Sequence, residues 1–213
     1  VKDCAESIPG PVSERLVQMA HENQIVVLAG MAEKDEKGRI FASHLVVTPK
    51  SISGTYRKIH IAPPERSIFS PGNSVPLFEV DGVKLGIQLC YDAHFPELST
   101  SMAVNGADII FMPHASPRGT PTEKLTSWLR HLTARAFDNS VFIVACNQNG
   151  DNQKGLQFPG VAVVIGPSGD VLKDNISGQE AMIVVVLKAD VLAAVRGHRM
   201  RYFLPNRRPE LYA

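Results

Sequence analysis

The sequence predicts an α/β fold in a single domain spanning residues 1–213, and three observations predict it. Short apolar runs of strand length recur along the chain, and between them lie segments whose apolar residues repeat at helical spacing. Turn signals such as Asp81-Gly82 and Pro167-Ser168-Gly169 separate the pieces, with no internal repeat, linker or low-complexity segment. A chain of 213 residues is also long enough to bury a core without disulfide staples.

The elements follow in order. "SERLVQMAHE" places Leu16, Met19 and Ala20 on one helical face, with Ser13 as its expected N-cap. Glu14, Glu22, Glu33 and Glu36 are expected on that helix or its following turn. "IVVLAG", residues 25–30, reads as a buried strand, "FASHLVVT" as another and "GTYRKIHI" as a third. In "SVPLFEVDGVKLGIQLC" the Asp81-Gly82 pair between apolar runs predicts a hairpin with a type I′ turn. Pro96 suits a first helical turn, Leu98 and Met102 give that short helix an inward stripe, and Gly106 marks its end. "ADIIFMP" is a strand. "TPTEKLTSWLRHLTARAFDN" is the clearest helix, because Leu125, Trp128, Leu129, Leu132 and Ala136 follow one face. "VFIVACNQ", "GVAVVIGPSGDVL" and "AMIVVVL" complete the strands. The tail "RMRYFLPNRRPELYA" is basic and aromatic, and is expected to lie as an arm over another surface.

Composition excludes several functions. With 22 basic and 21 acidic residues the formal net charge is +1, so no electrostatic footprint for nucleic acid or an anionic membrane exists. The longest apolar runs are of strand length, which predicts no membrane span. Cys4, Cys90 and Cys146 are too few and too far apart for a disulfide framework, and no CxxC or helix-spaced histidine pair suggests a metal. Free thiols predict a reducing, cytoplasmic setting.

Chemistry centres on Cys90. A free cysteine is often core packing, but this one ends a strand a few residues before a helix. Open α/β sheets collect their sites there, and nearby amide N–H groups can stabilise a thiolate and then an oxyanion. Cys146 lacks the following turn and helix and is expected in the core. Lys58 ends another strand, where a solvated lysine is the ordinary reading. Glu65 lies in "APPERSIFSPG", a loop restrained by Pro63, Pro64 and Pro71.

"YRKIH", "SPG", "LCYDAHFPE", "TARAFDNSVFIVACNQNG", "FPGVAVVIGPSGDVL" and "RRPELY", in this order over residues 5–212, resemble the carbon–nitrogen hydrolases of the nitrilase superfamily. The resemblance implies a four-layer α-β-β-α sandwich, assembly into homodimers or larger homo-oligomers through helical faces, and a Glu–Lys–Cys site without metal or organic cofactor. Cys90 matches the nucleophile and Lys58 the catalytic lysine. Glu65 resembles a second glutamate that positions substrate in amidase members, and the backbone N–H of Tyr91 would join Lys58 as an oxyanion donor. In "PHASPRGTP" His114 and Arg118 are candidate substrate contacts, and Arg118 would favour an acidic substrate. The family's general-base glutamate lies well before the lysine in a "PE" context. Only 57 residues precede Lys58 here, so the chain is expected to lack that amino-terminal portion, and Glu6 falls in a loop instead. The expected reaction is hydrolysis of a small amide or carbamoyl compound through a thioester. Nitrilases usually carry Trp-Glu after the cysteine, whereas Tyr91-Asp92 favours an amide over a nitrile. An inactive interaction module, a nitrile hydrolase, or a thiol enzyme of another class is the alternative.

Overall fold

The computed structural model describes residues 1–211, and they form two compact units divided between Ile87 and Gln88. Tyr212, the last residue of the "RRPELY" motif, lies outside the described residues.

The first unit begins with helix α1 (Pro11–Asn23). It starts two residues before the expected cap because Pro11 fits the first helical position and Ser13 then works from inside the first turn. The buried Ser13 hydroxyl lies 2.9 Å from both the Gly10 amide nitrogen and the Gly10 carbonyl oxygen, accepting from one and donating to the other. Glu6 carries its carboxylate to the same helix end, accepting from the Val12 N–H at 3.0 Å. Strands β1 (Val27–Lys34), β2 (Ile40–Val47) and β3 (Ile52–Arg57) form an antiparallel sheet in that order. Leu16, Val17 and Ala20 of α1 pack on Leu45 and Val47 of β2, while Met19 faces out. β1 runs further than the sequence suggested, so Glu33 is a strand residue and not part of a helix or turn. The hairpin β4 (Phe78–Val80) and β5 (Val83–Ile87) turns on Asp81 and Gly82, both with positive φ, 50° and 79°. Only a residue tolerant of the left-handed region fits either place.

The second unit contains α2 (Pro96–Val104), β6 (Ile109–His114), α3 (Pro121–Asn139) and β7 (Phe142–Asn147). β6 and β7 are parallel, with α3 as the crossover between them. Thr120 caps α3 and exchanges hydrogen bonds with Glu123, and Trp128, Leu132 and Ala136 are its buried stripe. A small hairpin, β8 (Gly150–Asp151) and β9 (Gln157–Phe158), precedes β10 (Ala162–Ile165) and β11 (Val171–Asn175), which extend the sheet antiparallel from β7.

Two expectations change. "AMIVVVL" joins no described strand: it is irregular, with Met182, Val184 and Val186 exposed by 84, 67 and 79%. Its composition fits a pleated surface, but pairing depends on a neighbour and not on propensity. The sequence reading also missed α4 (Ala189–Arg196), a two-turn helix that buries Leu192 and Val195. Its Arg196 guanidinium donates to Asp108 at 2.7 Å and to the Ala107 carbonyl at 2.6 Å. The tail that follows sets Phe203 against Phe137, ring centres 5.5 Å apart. No described helix is long and apolar enough to cross a membrane.

Leu45 is fully buried between α1 and its own sheet. Leu45→Ala is expected to lower unfolding free energy by about 3 kcal/mol in urea titration; a loss under about 1 kcal/mol would contradict that core.

Candidate active site

Cys90 opens a 3-10 turn, Cys90–His94, that leads into α2. Its φ is +51°, the left-handed region, where a side chain with a Cβ is strained by roughly 1–2 kcal/mol. Asp92 holds it there. Fully buried, its carboxylate Oδ2 accepts from the Leu89 N–H at 2.9 Å, while the Asp92 N–H donates to the Leu89 carbonyl at 3.1 Å. The Phe95 N–H then donates to the Asp92 carbonyl at 3.1 Å, passing the turn on to α2. Just upstream, Gln88 is tied to the sheet by its N–H on the Phe111 carbonyl (2.9 Å) and to α2 by its side-chain amide on the Ser99 hydroxyl (2.9 Å). Cys90 itself is half-buried, neither sealed in the core nor fully out in solvent. The ring of Tyr91 leans on those of His94 and Phe95, centroids 5.8 and 5.5 Å away.

The same unit carries further candidate residues. His114, at the end of β6, is buried with Nδ1 2.7 Å from the Met112 carbonyl and its ring 4.3 Å from that of Trp128. Burial pushes its pKa down to about 3, so it meets its surroundings as a neutral ring. The loop after it is pinned from two sides. Asn147 accepts from the Ser116 N–H at 2.9 Å and donates to the Ser116 carbonyl at 3.1 Å, and Lys124 Nζ donates to Ser116 Oγ at 2.9 Å and to the Pro117 carbonyl at 3.2 Å. Burial lowers the Lys124 pKa, and the charge of Cys90 partly restores it, so this ammonium lies within electrostatic reach of the sulfur. Arg118 is exposed, with φ +76° and its N–H on the Gln157 carbonyl at 3.2 Å.

In the first unit the structure brings Lys58 and Glu65 together. Lys58, only 3% exposed, directs Nζ to Glu65 Oε2 at 2.5 Å. The backbone fixes both ends of that pair. The Lys58 N–H donates to the Ala42 carbonyl at 2.9 Å, and the Gly72 N–H donates to the Lys58 carbonyl at 2.8 Å. A Cβ on Gly72 would stand 2.3 Å from the Arg57 carbonyl oxygen, so the loop closes this tightly only on glycine. Glu65 also accepts from the Ala62 N–H at 3.3 Å, within the Pro63–Glu65 turn.

Sequence reasoning passed over three groups. Asp92, Asn147 and Lys124 do the positioning, and each looks like an ordinary polar residue until its partner is known. Glu33 was set aside on a wrong element. It is 6% exposed and takes the Arg57 guanidinium and the Ser43 hydroxyl, the latter at 2.6 Å. Those bonds outweigh its burial and hold its pKa low, a fixed carboxylate. Cys146 is exposed instead of buried in the core. It lines an open cavity of about 220 Å³ with Asn149 and Glu180, yet the protein around its thiol still raises its pKa. No group of three or more metal-binding side chains occurs among the described residues.

Residues 2–197 match the family model for the carbon–nitrogen hydrolases. The chain belongs to this family. It is 34% identical to an (R)-stereoselective amidase of Pseudomonas over 194 residues, covering 90% of this chain and 68% of that one. It is 30% identical to a nitrilase of Pyrococcus abyssi over 220 residues, covering 100% of this chain and 78% of that one. Among solved structures it superposes with a TM-score of 0.79, at 25% identity over 93% of this chain and 70% of that one, on a variant of the amidase from Nesterenkonia sp. AN1. That crystal shows the acetamide moiety of fluoroacetamide added covalently at the active-site cysteine of the Nesterenkonia enzyme. The fold class is therefore the nitrilase-type α-β-β-α sandwich.

Burial also lowers the pKa of His44 in β2, to about 4. Both His44 and His114 are neutral in the fold but take a proton near pH 6.5 once unfolded, so their contribution is complete above that pH and is lost as pH falls. The melting temperature is expected to decline between about pH 6.5 and 4 in scanning calorimetry; a flat profile over that window would contradict this placement of the two histidines.

Proposed function

We propose that this amidase-type carbon–nitrogen hydrolase cleaves small amides or carbamoyl amides with Cys90 as nucleophile and a thioester intermediate. The observation that carries the reading is the left-handed turn at Cys90, locked by a buried aspartate where a strand gives way to a helix. Strain at such a place persists only where the surroundings over-determine it, and it puts a side chain at the rim and amides behind it. Neither Cys4 nor Cys146 stands in such a turn.

In the proposed reaction Cys90 Sγ attacks the carbonyl carbon, and its proton passes by way of a carboxylate base to the departing nitrogen. The C–N bond breaks, ammonia or an amine leaves, and water hydrolyses the thioester to a carboxylic acid and the free thiol. By the family resemblance, the oxyanion donors are the Lys58 ammonium and the Tyr91 N–H. Glu65, bonded to Lys58, holds that ammonium in place and assists proton movement. Glu6 and Glu33 are already engaged, by α1 and by Arg57, and take no part. His114 forms a neutral wall for the acyl group, and Arg118 would favour a substrate bearing a carboxylate. Tyr91-Asp92 after the nucleophile favours amides, while the Pyrococcus relative keeps nitriles as the second reading. Cys4, Cys90 and Cys146 form no disulfide among the described residues, which supports a reducing, cytoplasmic setting. The exposed ring of Phe137 on α3 supports a homodimer or larger homo-oligomer built on helical faces.

Cys90→Ala is expected to abolish amide hydrolysis while leaving the urea midpoint nearly unchanged, and retained turnover would remove Cys90 as nucleophile. Lys58→Met keeps the buried stem and removes the charge. It should lower kcat by roughly a hundredfold to a thousandfold, as loss of an oxyanion donor does; a tenfold or smaller fall in steady-state assays would argue against that role.

A further inference from the structure

We propose that His131 is a positioning residue for Cys90, its neutral imidazole stacking on His94 to hold the nucleophile's turn against α3. This rests on the reading of Cys90 as nucleophile. His94 is the last residue of the Cys90–His94 turn, and its ring centre lies 4.7 Å from that of His131, the planes 33° apart. On the turn itself the rings of Tyr91, His94 and Phe95 already lean together. The α3 ring joins that cluster and gives the outer side of the turn a fixed surface. Asp92 anchors the turn from within, so the sulfur sits between two restraints.

The chemistry of His131 admits only the neutral form. One ring nitrogen bonds the Ser127 carbonyl, and Nε2 is buried without a hydrogen-bond partner among the described residues. The proton therefore sits on the nitrogen that faces Ser127, and Nε2 carries the lone pair. A proton on Nε2 would put a charged donor where no acceptor waits. The groups around it discourage charge further. They are Arg135 of α3 and His94 of the turn. The acidic groups nearby are engaged elsewhere: Glu97 of α2 and Asp138 of α3 act on Arg135, and Asp92 is bonded to the Leu89 amide. Burial accordingly holds the His131 pKa at about 4.

The test labels the thiols with 2,2′-dipyridyl disulfide, which needs no turnover, and reads each cysteine by peptide mass spectrometry. Cys146, in the same unit, is the internal control. His131→Leu is expected to slow labelling of Cys90 about tenfold with the Cys146 rate unchanged, and His131→Phe, which keeps a ring on His94, to stay within about threefold of the native rate. The native protein should also show a fall in Cys90 labelling centred near pH 4 that His131→Phe lacks. An unchanged Cys90 rate in His131→Leu, parallel changes at Cys90 and Cys146, or an identical acid profile in His131→Phe would each overturn the proposal. Should amide hydrolysis be absent from the native protein, the labelling pattern still decides the role of His131, so the two readings fail separately.

Discussion

The carboxylate of Asp92, turned back onto the amide of Leu89, is the constraint on which the rest depends. It is fully buried, and its bond at 2.9 Å closes the backbone over the two residues between them, Cys90 and Tyr91. A cysteine with φ of +51° would relax if that bond were lost, because nothing in its own side chain favours the left-handed region. The same bond spares the carboxylate an unpaired burial, so turn and aspartate stabilise each other. What the sulfur can do follows from this. It is held, half-buried, at a junction where a strand has ended and a helix begins.

The surroundings of the turn are built to the same logic. Gln88 joins sheet to α2, Asn147 and Lys124 clamp the loop at Ser116, and His114 closes the wall on Trp128. None of these contacts is strong alone, since an ordinary hydrogen bond contributes about 1 kcal/mol net. Together they restrain the segments around Cys90. In the other unit the buried Lys58 and its partner Glu65 follow the same rule, fixed by Ala42, Gly72 and a proline-restrained turn.

The sequence made the periodic elements legible and left the conditional ones hidden. The stripe of α3, the Asp81-Gly82 hairpin and the proline at the start of α2 were readable because each is decided by residues close in the chain. Ser13 misled because a serine near a helix start can cap from outside or bond from within the first turn. "AMIVVVL" misled because strand composition says nothing of whether a partner lies alongside. α4 was missed because two turns leave too short a pattern to stand out. In the candidate site, Cys90, Lys58 and Glu65 carried a recognisable motif. Asp92, Lys124, Asn147 and His131 did not, since their parts are defined by what they touch across 3 to 37 positions of sequence. Glu33 was read on the wrong element, and its pairing with Arg57, 24 residues on, could not be seen from spacing alone.

One measurement bears most directly on the claim that the turn presents Cys90 as a nucleophile. The protein is mixed with a small amide, quenched in acid within one turnover, and weighed intact before peptide mapping. The account predicts an added acyl mass on the peptide carrying Cys90 and none on those carrying Cys4 or Cys146. An acyl group on either of those two, or turnover with no acylated cysteine at any quench time, would contradict it.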